Sequence, residues 1–169
     1  MTKNTAVKLS GDIILEAKKY ANVYSRSVSK QIEHWAKIGR IAEENPDLPY
    51  SFIKDILISM EEMKTGKPVP YQFGWTMQVF QYPAFEKVVK KLHSNAKQDL
   101  DNSLKKLIKN PLSGEMKKSD LNGIRVYKFK MVNQLTLVAY IYNETDDSIS
   151  LLAIGSHENF YRDLKKENR

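Results

Sequence analysis

Cysteine is absent from this chain of 169 residues, which excludes disulfides and thiolate metal sites. A cysteine-free chain suits a reducing compartment, and a cytoplasmic protein is the expectation. Histidine is scarce too. His34, His93 and His157 are the whole supply, too scattered for a metal site, so neither a metal nor another cofactor is expected. No apolar run approaches the ~18 residues of a membrane span. Met1 is followed by no signal-peptide pattern, and neither a Walker loop nor a dinucleotide fingerprint occurs. What is present is a foldable composition: 41% of residues are hydrophobic, enough for a packed core. The formal charge is +7, with 11 basic and 9 acidic side chains in residues 1–72 against 16 and 11 in residues 73–169. The cationic excess therefore lies mainly in the C-terminal part. It fits an acidic partner such as nucleic acid, and equally a charge carried for solubility.

The stretch from Leu121 to Arg162 is the most ordered pattern in the chain. Ile124 to Lys130, Leu135 to Tyr142 and Ile149 to Gly155 are rich in β-branched and aromatic residues and are separated by polar turn clusters, the signal of an antiparallel meander. Side chains change face at each strand residue. Tyr127, Phe129 and Met131 therefore share one face, and Val126, Lys128 and Lys130 the other. The third strand delivers His157 and Tyr161 beyond its end. Two lysines and a histidine on one sheet face could bind or cleave a phosphodiester; they are also what a solvated sheet face looks like.

Before the meander, Trp75 to Phe80 reads as a strand. Pro83 opens a helix running to about Ser94, and a second runs from about Lys97 to Lys109 with Leu100, Leu104, Leu107 and Ile108 on one side. Leu112 to Asp120 reads as a basic polar loop containing Lys117 and Lys118. Further upstream, Thr65 to Pro70 is rich in breakers and reads as a linker. Before it, Leu48 to Lys64 forms a helix with a wide apolar stripe of Phe52, Ile53, Ile56, Leu57, Met60 and Met63. Such a stripe needs a cover, either the C-terminal domain or the core of an N-terminal dimer. At the front, residues 5–9 alternate like a short strand. Ser10 and Ser27 are candidate N-caps of two helices, the second ending near Asn45-Pro46. One strand and two helices cannot bury enough surface alone, so an intertwined homodimer is expected. His34 beside Trp35 fits packing in that dimer.

The segment Thr5-Ala-Val-Lys-Leu-Ser10 followed by two helices resembles a ribbon-helix-helix DNA-binding domain. Arg26-Ser27-Val-Ser-Lys-Gln-Ile-Glu-His-Trp-Ala-Lys-Ile-Gly-Arg40, with Asn45-Pro-Asp-Leu-Pro-Tyr50, is similar to ParD-like antitoxins. The resemblance implies that a two-stranded ribbon enters the major groove of operator DNA, with Asn4, Ala6 and Lys8 facing bases and the backbone near Ser27 holding a phosphate. Asn110-Pro111-Leu112, Leu121-Asn-Gly123, Tyr127-Lys-Phe-Lys130, Leu151-Leu-Ala-Ile-Gly155 and Phe160-Tyr-Arg162 together resemble the RelE/ParE toxin superfamily.

The fold expected is α+β, in three parts: a ribbon-helix-helix domain over 1–46, an amphipathic helix and linker over 47–72, and a helical hairpin on an antiparallel sheet over 73–169. The resemblance implies either ribosome-dependent cleavage of messenger RNA or poisoning of DNA gyrase. In the first case Lys128 and Lys130 would hold the phosphate, His157 would transfer a proton, Tyr161 would stack a base or position the phosphate, and Arg125 would be a further cation. Phe52, Ile53, Ile56, Leu57 and Met60 would form the neutralising helix. One departure matters: many ribonuclease members carry an arginine in the strand that here reads Gln134-Leu-Thr-Leu-Val138. A repressor whose toxin fold is spent, or directed at gyrase, therefore stays open.

Overall fold

The computed structural model describes residues 6–71 and 77–157. Asn4, Tyr161 and the start of the strand read from Trp75 lie outside them. The chain forms two compact units, residues 1–40 and 41–169.

The first unit holds α1 (Gly11–Val23) and most of α2 (Val28–Glu44). Ser10 stands at the N-cap of α1 without a side-chain bond. Ser27 does cap α2, its Oγ accepting the Lys30 N–H at 3.2 Å. Ala17, Ala21 and Gln31 are its buried residues among those described, while Val7, Leu9, Ile13 and Leu15 are exposed. Tyr20 meets the Trp35 ring edge-on at 5.4 Å. The short strand expected over residues 5–9 is not formed: residues 6–10 pair with no strand among the described residues.

The second unit begins with the last turn of α2 and continues with α3 (Tyr50–Thr65), β1 (Val69–Pro70), β2 (Gln78–Gln81), α4 (Pro83–Val89), α5 (Ser94–Lys109), β3 (Glu115–Met116), β4 (Arg125–Met131), β5 (Gln134–Asn143) and β6 (Ser148–Ser156). The sheet order is β1-β2-β6-β5-β4-β3. The meander is antiparallel, whereas β2 lies parallel to β6, a direction it can take because two helices and three strands separate them in sequence.

Three expected boundaries move. The stretch read as a linker ends as an edge strand, Val69 and Pro70 pairing with Gln81 and Phe80; proline is tolerated at a sheet edge. The helix from Pro83 stops at Val89, because Lys91 and Leu92 bond three residues back and tighten the turn; α5 accordingly starts early, at Ser94. The loop before the meander contributes β3, paired with Val126 and Arg125.

One sheet face packs against α4 and α5. Phe85, Val89, Leu100, Leu104 and Leu107 meet Phe129, Val138, Tyr140, Leu151 and Ile154 there. Tyr140 is fully buried. Its hydroxyl accepts the Gly114 N–H at 3.0 Å and donates to the Pro111 carbonyl at 2.6 Å. Arg125 Nη1 donates to the carbonyls of Leu112 and Gly114. These bonds fix the segment that leads into Glu115 and Lys117. Tyr140→Phe strands the Gly114 N–H, and losing a buried partner costs about 1–3 kcal/mol. Chemical denaturation of the two proteins should show that loss; equal stabilities would mean the loop is not held this way.

Candidate functional site

The opposite face of the sheet carries the charge. Its pleat puts Val126, Lys128 and Lys130 together; Val126 is buried and Lys130 exposed. Across β5, Lys128 faces Leu137 and Lys130 faces Leu135. Leu137 in turn faces Gly155 of β6. His157 follows directly in a short helical turn and is half-buried. The β5–β6 ladder ends at the Thr136–Ser156 pair, one residue before it. Lys130 pairs with Leu135, one position before the last β5–β6 pair in that direction, so Lys130 and His157 belong to the same end of the sheet. Arg125 is not in this group, because it belongs to the other face with Tyr140. Among the described residues no cluster of histidine and carboxylate groups could hold a metal ion, and no helix is long and apolar enough to cross a membrane.

Helix α3 packs on β6 and α4. Phe52, Ile53 and Ile56 are almost completely buried, while Leu57 and Met60 are half-buried. Close approach is possible because β6 presents small residues, Ala153 and Gly155. A Cβ at Gly155 would stand 3.1 Å from the Phe52 ring. The strand also carries a bulge: Ala139 pairs with Ala153 and Tyr140 with Leu151, leaving Leu152 as the extra residue. Its carbonyl accepts the hydroxyl of buried Ser59 at 2.6 Å. Glu62 accepts the Ala84 N–H at 3.2 Å, serving the start of α4, whose N-cap residue Tyr82 has no side-chain cap bond.

A second clamp precedes α3. The Asn45 side chain is buried and reads the backbone of Lys118, accepting its N–H at 3.0 Å and donating to its carbonyl at 3.4 Å. Two residues on, Asp47 meets both lysines. Lys117 Nζ is 2.8 Å from each carboxylate oxygen, and Lys128 Nζ is 2.8 Å from Oδ2. Glu115 flanks them at 3.1 and 3.6 Å. Lys117 is only 1% exposed. Burial pushes the Asp47 carboxyl up, but the two lysines together outweigh it and hold it below the ordinary aspartate value. The hydrogen bond to Asp47 is the main reason the Lys128 ammonium is raised.

The signs give a pH test. A depressed carboxylate stabilises the fold above its unfolded pKa, ~3.9, and that stability is lost as pH falls through the folded value. A raised lysine stabilises below ~10.4 and loses that contribution as pH rises through its folded value. Asp55, half-buried on α3, is raised by burial and works in the opposite sense to Asp47, so comparison with Asp47→Asn isolates the clamp. The stability gap between wild type and Asp47→Asn should be flat across neutral pH and shrink below about pH 4. Urea midpoints across pH check this, and a gap unchanged in acid would refute it.

Sequence reading missed Asn45, Asp47, Ser59 and Lys117. Asn45-Pro46 reads as a helix stop and as part of the ParD-like segment, neither of which gives Asn45 or Asp47 a contact, and Lys117 lies in a stretch without periodicity. Ala6, Lys8 and Ser27 lie in the first unit, the first two exposed before α1.

The sheet face that bears Lys128 is thus packed against α3 and paired with a carboxylate of the same chain. Residues 79–165, about half of the chain, match the profile of the ParE-like toxin of type II bacterial toxin-antitoxin systems. Residues 4–71 match the ParD-like antitoxin of the same systems. The chain belongs to the ParE-like toxin family, with a ParD-like antitoxin fused ahead of it. No curated protein sequence matches significantly. Among solved structures, the isolated E. coli RelE toxin is similar at 16% identity and a TM-score of 0.40, over 54% of this chain and 97% of that one. The intact E. coli RelBE toxin-antitoxin complex is similar at 17% identity and 0.39, over 46% and 92%.

Proposed function

We propose that this cytoplasmic chain is a toxin neutralised by its own antitoxin segment. The observation that carries the reading is the placement of α3 and Asp47. Both come from the ParD-like part, and both lie on the sheet face that bears Lys128, Asp47 in direct contact with it and α3 over Gly155. Once uncovered, Lys128 and Lys130 hold a messenger-RNA phosphate on the ribosome, His157 transfers the proton that 2′-hydroxyl attack or departure of the 5′-oxygen requires, and Tyr161 orients the strand. The first unit dimerises, since it leaves Val7, Leu9 and Ile13 exposed. A ribbon from two copies presents Asn4, Ala6 and Lys8 to operator bases, and the start of α2 at Ser27 holds a backbone phosphate. The chain then represses its own operator.

A second reading follows from Gln134–Val138, where the sheet offers no cation. Losing a donor to transition-state charge can cost ~10²–10³ in rate, which favours a gyrase-directed or catalytically spent domain. Expression of residues 73–169 in cells separates the readings. Arrest with cleaved message, abolished by His157→Ala and by Lys128→Ala, supports the nuclease. Arrest with intact message supports gyrase, and normal growth from a folded fragment supports the spent domain.

A further inference from the structure

The ion pairs around Asp47 have the form of a filled binding site. Lys117 donates to both carboxylate oxygens and Lys128 to one of them. A phosphodiester presents the same pattern, two terminal oxygens sharing one negative charge, and matches the two-oxygen edge of a carboxylate. The surroundings select for an anion. Without Asp47, two ammonium groups share the single carboxylate of Glu115, which is itself largely exposed, and Lys130 adds a further charge two residues along the strand. Lys117 would then be a charge about as buried as any core residue, with one partner left. Buried charges are retained in proteins where they are paired or coordinate something.

We propose, building on the neutralised-toxin reading, that Lys117 and Lys128 form a cradle for a nucleic-acid phosphodiester and that Asp47 fills it as an internal stand-in for that phosphate. Lys117 is then a substrate-binding residue. It reaches the face from the β3 side of β4, since its own N–H bonds the Ile124 carbonyl at 2.8 Å. It provides a cation from the side opposite to β5, whose segment Gln134–Val138 has none. The cover acts twice, α3 by excluding the strand and Asp47 by competing for its charge.

The test is thermal unfolding of the full chain and of Asp47→Ala, in inorganic phosphate against chloride of equal ionic strength, then with a dinucleoside monophosphate. An emptied cradle gains stability from a ligand that binds only the folded state. Asp47→Ala should rise by several degrees in phosphate, wild type should not, and Asp47→Ala with Lys117→Met should lose the gain. A comparable rise with the dinucleoside monophosphate extends the result to the diester; a response to inorganic phosphate alone would overturn the nucleic-acid assignment. Equal phosphate responses in wild type and Asp47→Ala would overturn the cradle, and a gain that survives Lys117→Met would overturn the role of Lys117. Should Asp47→Ala be unfolded in chloride, recovery of cooperative unfolding in phosphate supports the cradle and no recovery overturns it. The neutralisation reading has its own readout in growth. Arrest on undocking α3 with no phosphate response would leave that reading standing and remove this one; a phosphate response without any arrest would do the reverse.

Discussion

Replacing Phe52 by alanine in the full-length chain will convert a tolerated protein into one that arrests growth. Phe52 is 1% exposed, and truncating a buried phenylalanine costs about 3–5 kcal/mol. Nearly all of that falls on the docked state of α3, because the ring packs on Gly155. At 1.4 kcal/mol per tenfold, the undocked population rises by roughly two to three and a half orders of magnitude. The opposing effect is the tether, which holds the helix at an effective concentration of the order of mM. A tether helps wild type and variant alike, so it does not cancel the difference. Growth curves on induction check the expectation, and Phe52→Ala combined with Lys128→Ala should restore growth. That pair separates an uncovered toxin from a merely unstable protein. Normal growth with soluble, folded Phe52→Ala would mean that α3 does not neutralise.

The meander was legible because period-two alternation survives wherever one face is buried. Tyr127 and Phe129 lie in the core with their rings stacked at 6.2 Å, and Lys128 and Lys130 lie on the other face. The stripe of α3 was legible for the same reason, since Phe52, Ile53 and Ile56 are too apolar to stand exposed. Its target was not, because what receives a helix is set by small residues and a bulge. Gly155 and the bulged Leu152, whose carbonyl accepts the Ser59 hydroxyl, leave no periodic trace. Arg125 shows the limit of reading a cation by proximity in sequence: one residue of offset on a strand reverses its face. The Asp47 clamp was hidden because its partners, Lys117 and Lys128, stand 70 and 81 positions away, and a charge pair over such a separation has no local signature.

Removing Asp47 and removing Lys117 should have very different costs, although they belong to one ion pair. In Asp47→Ala the Lys117 ammonium stays 1% exposed with only Glu115 beside it. Breaking a buried pair by deleting one partner typically costs 3–5 kcal/mol, because a charge is left desolvated. In Lys117→Met the survivor is Asp47, which is 27% exposed and keeps Lys128 at 2.8 Å. That carboxylate is both paired and wetted, and methionine fills the space of the lysine stem, so the cost should stay near 1 kcal/mol or below. Adding Lys117→Met to Asp47→Ala removes the stranded charge and should recover most of the loss. A double-mutant cycle by urea denaturation therefore predicts a double variant more stable than Asp47→Ala alone. If the single substitutions cost the same and add, Lys117 is solvated when Asp47 is gone, and the clamp is an ordinary surface ion pair. If the asymmetry holds, Asp47→Ala in cells should also loosen the cover over Lys128. Growth arrest weaker than that of Phe52→Ala should follow, since the apolar contacts of α3 remain.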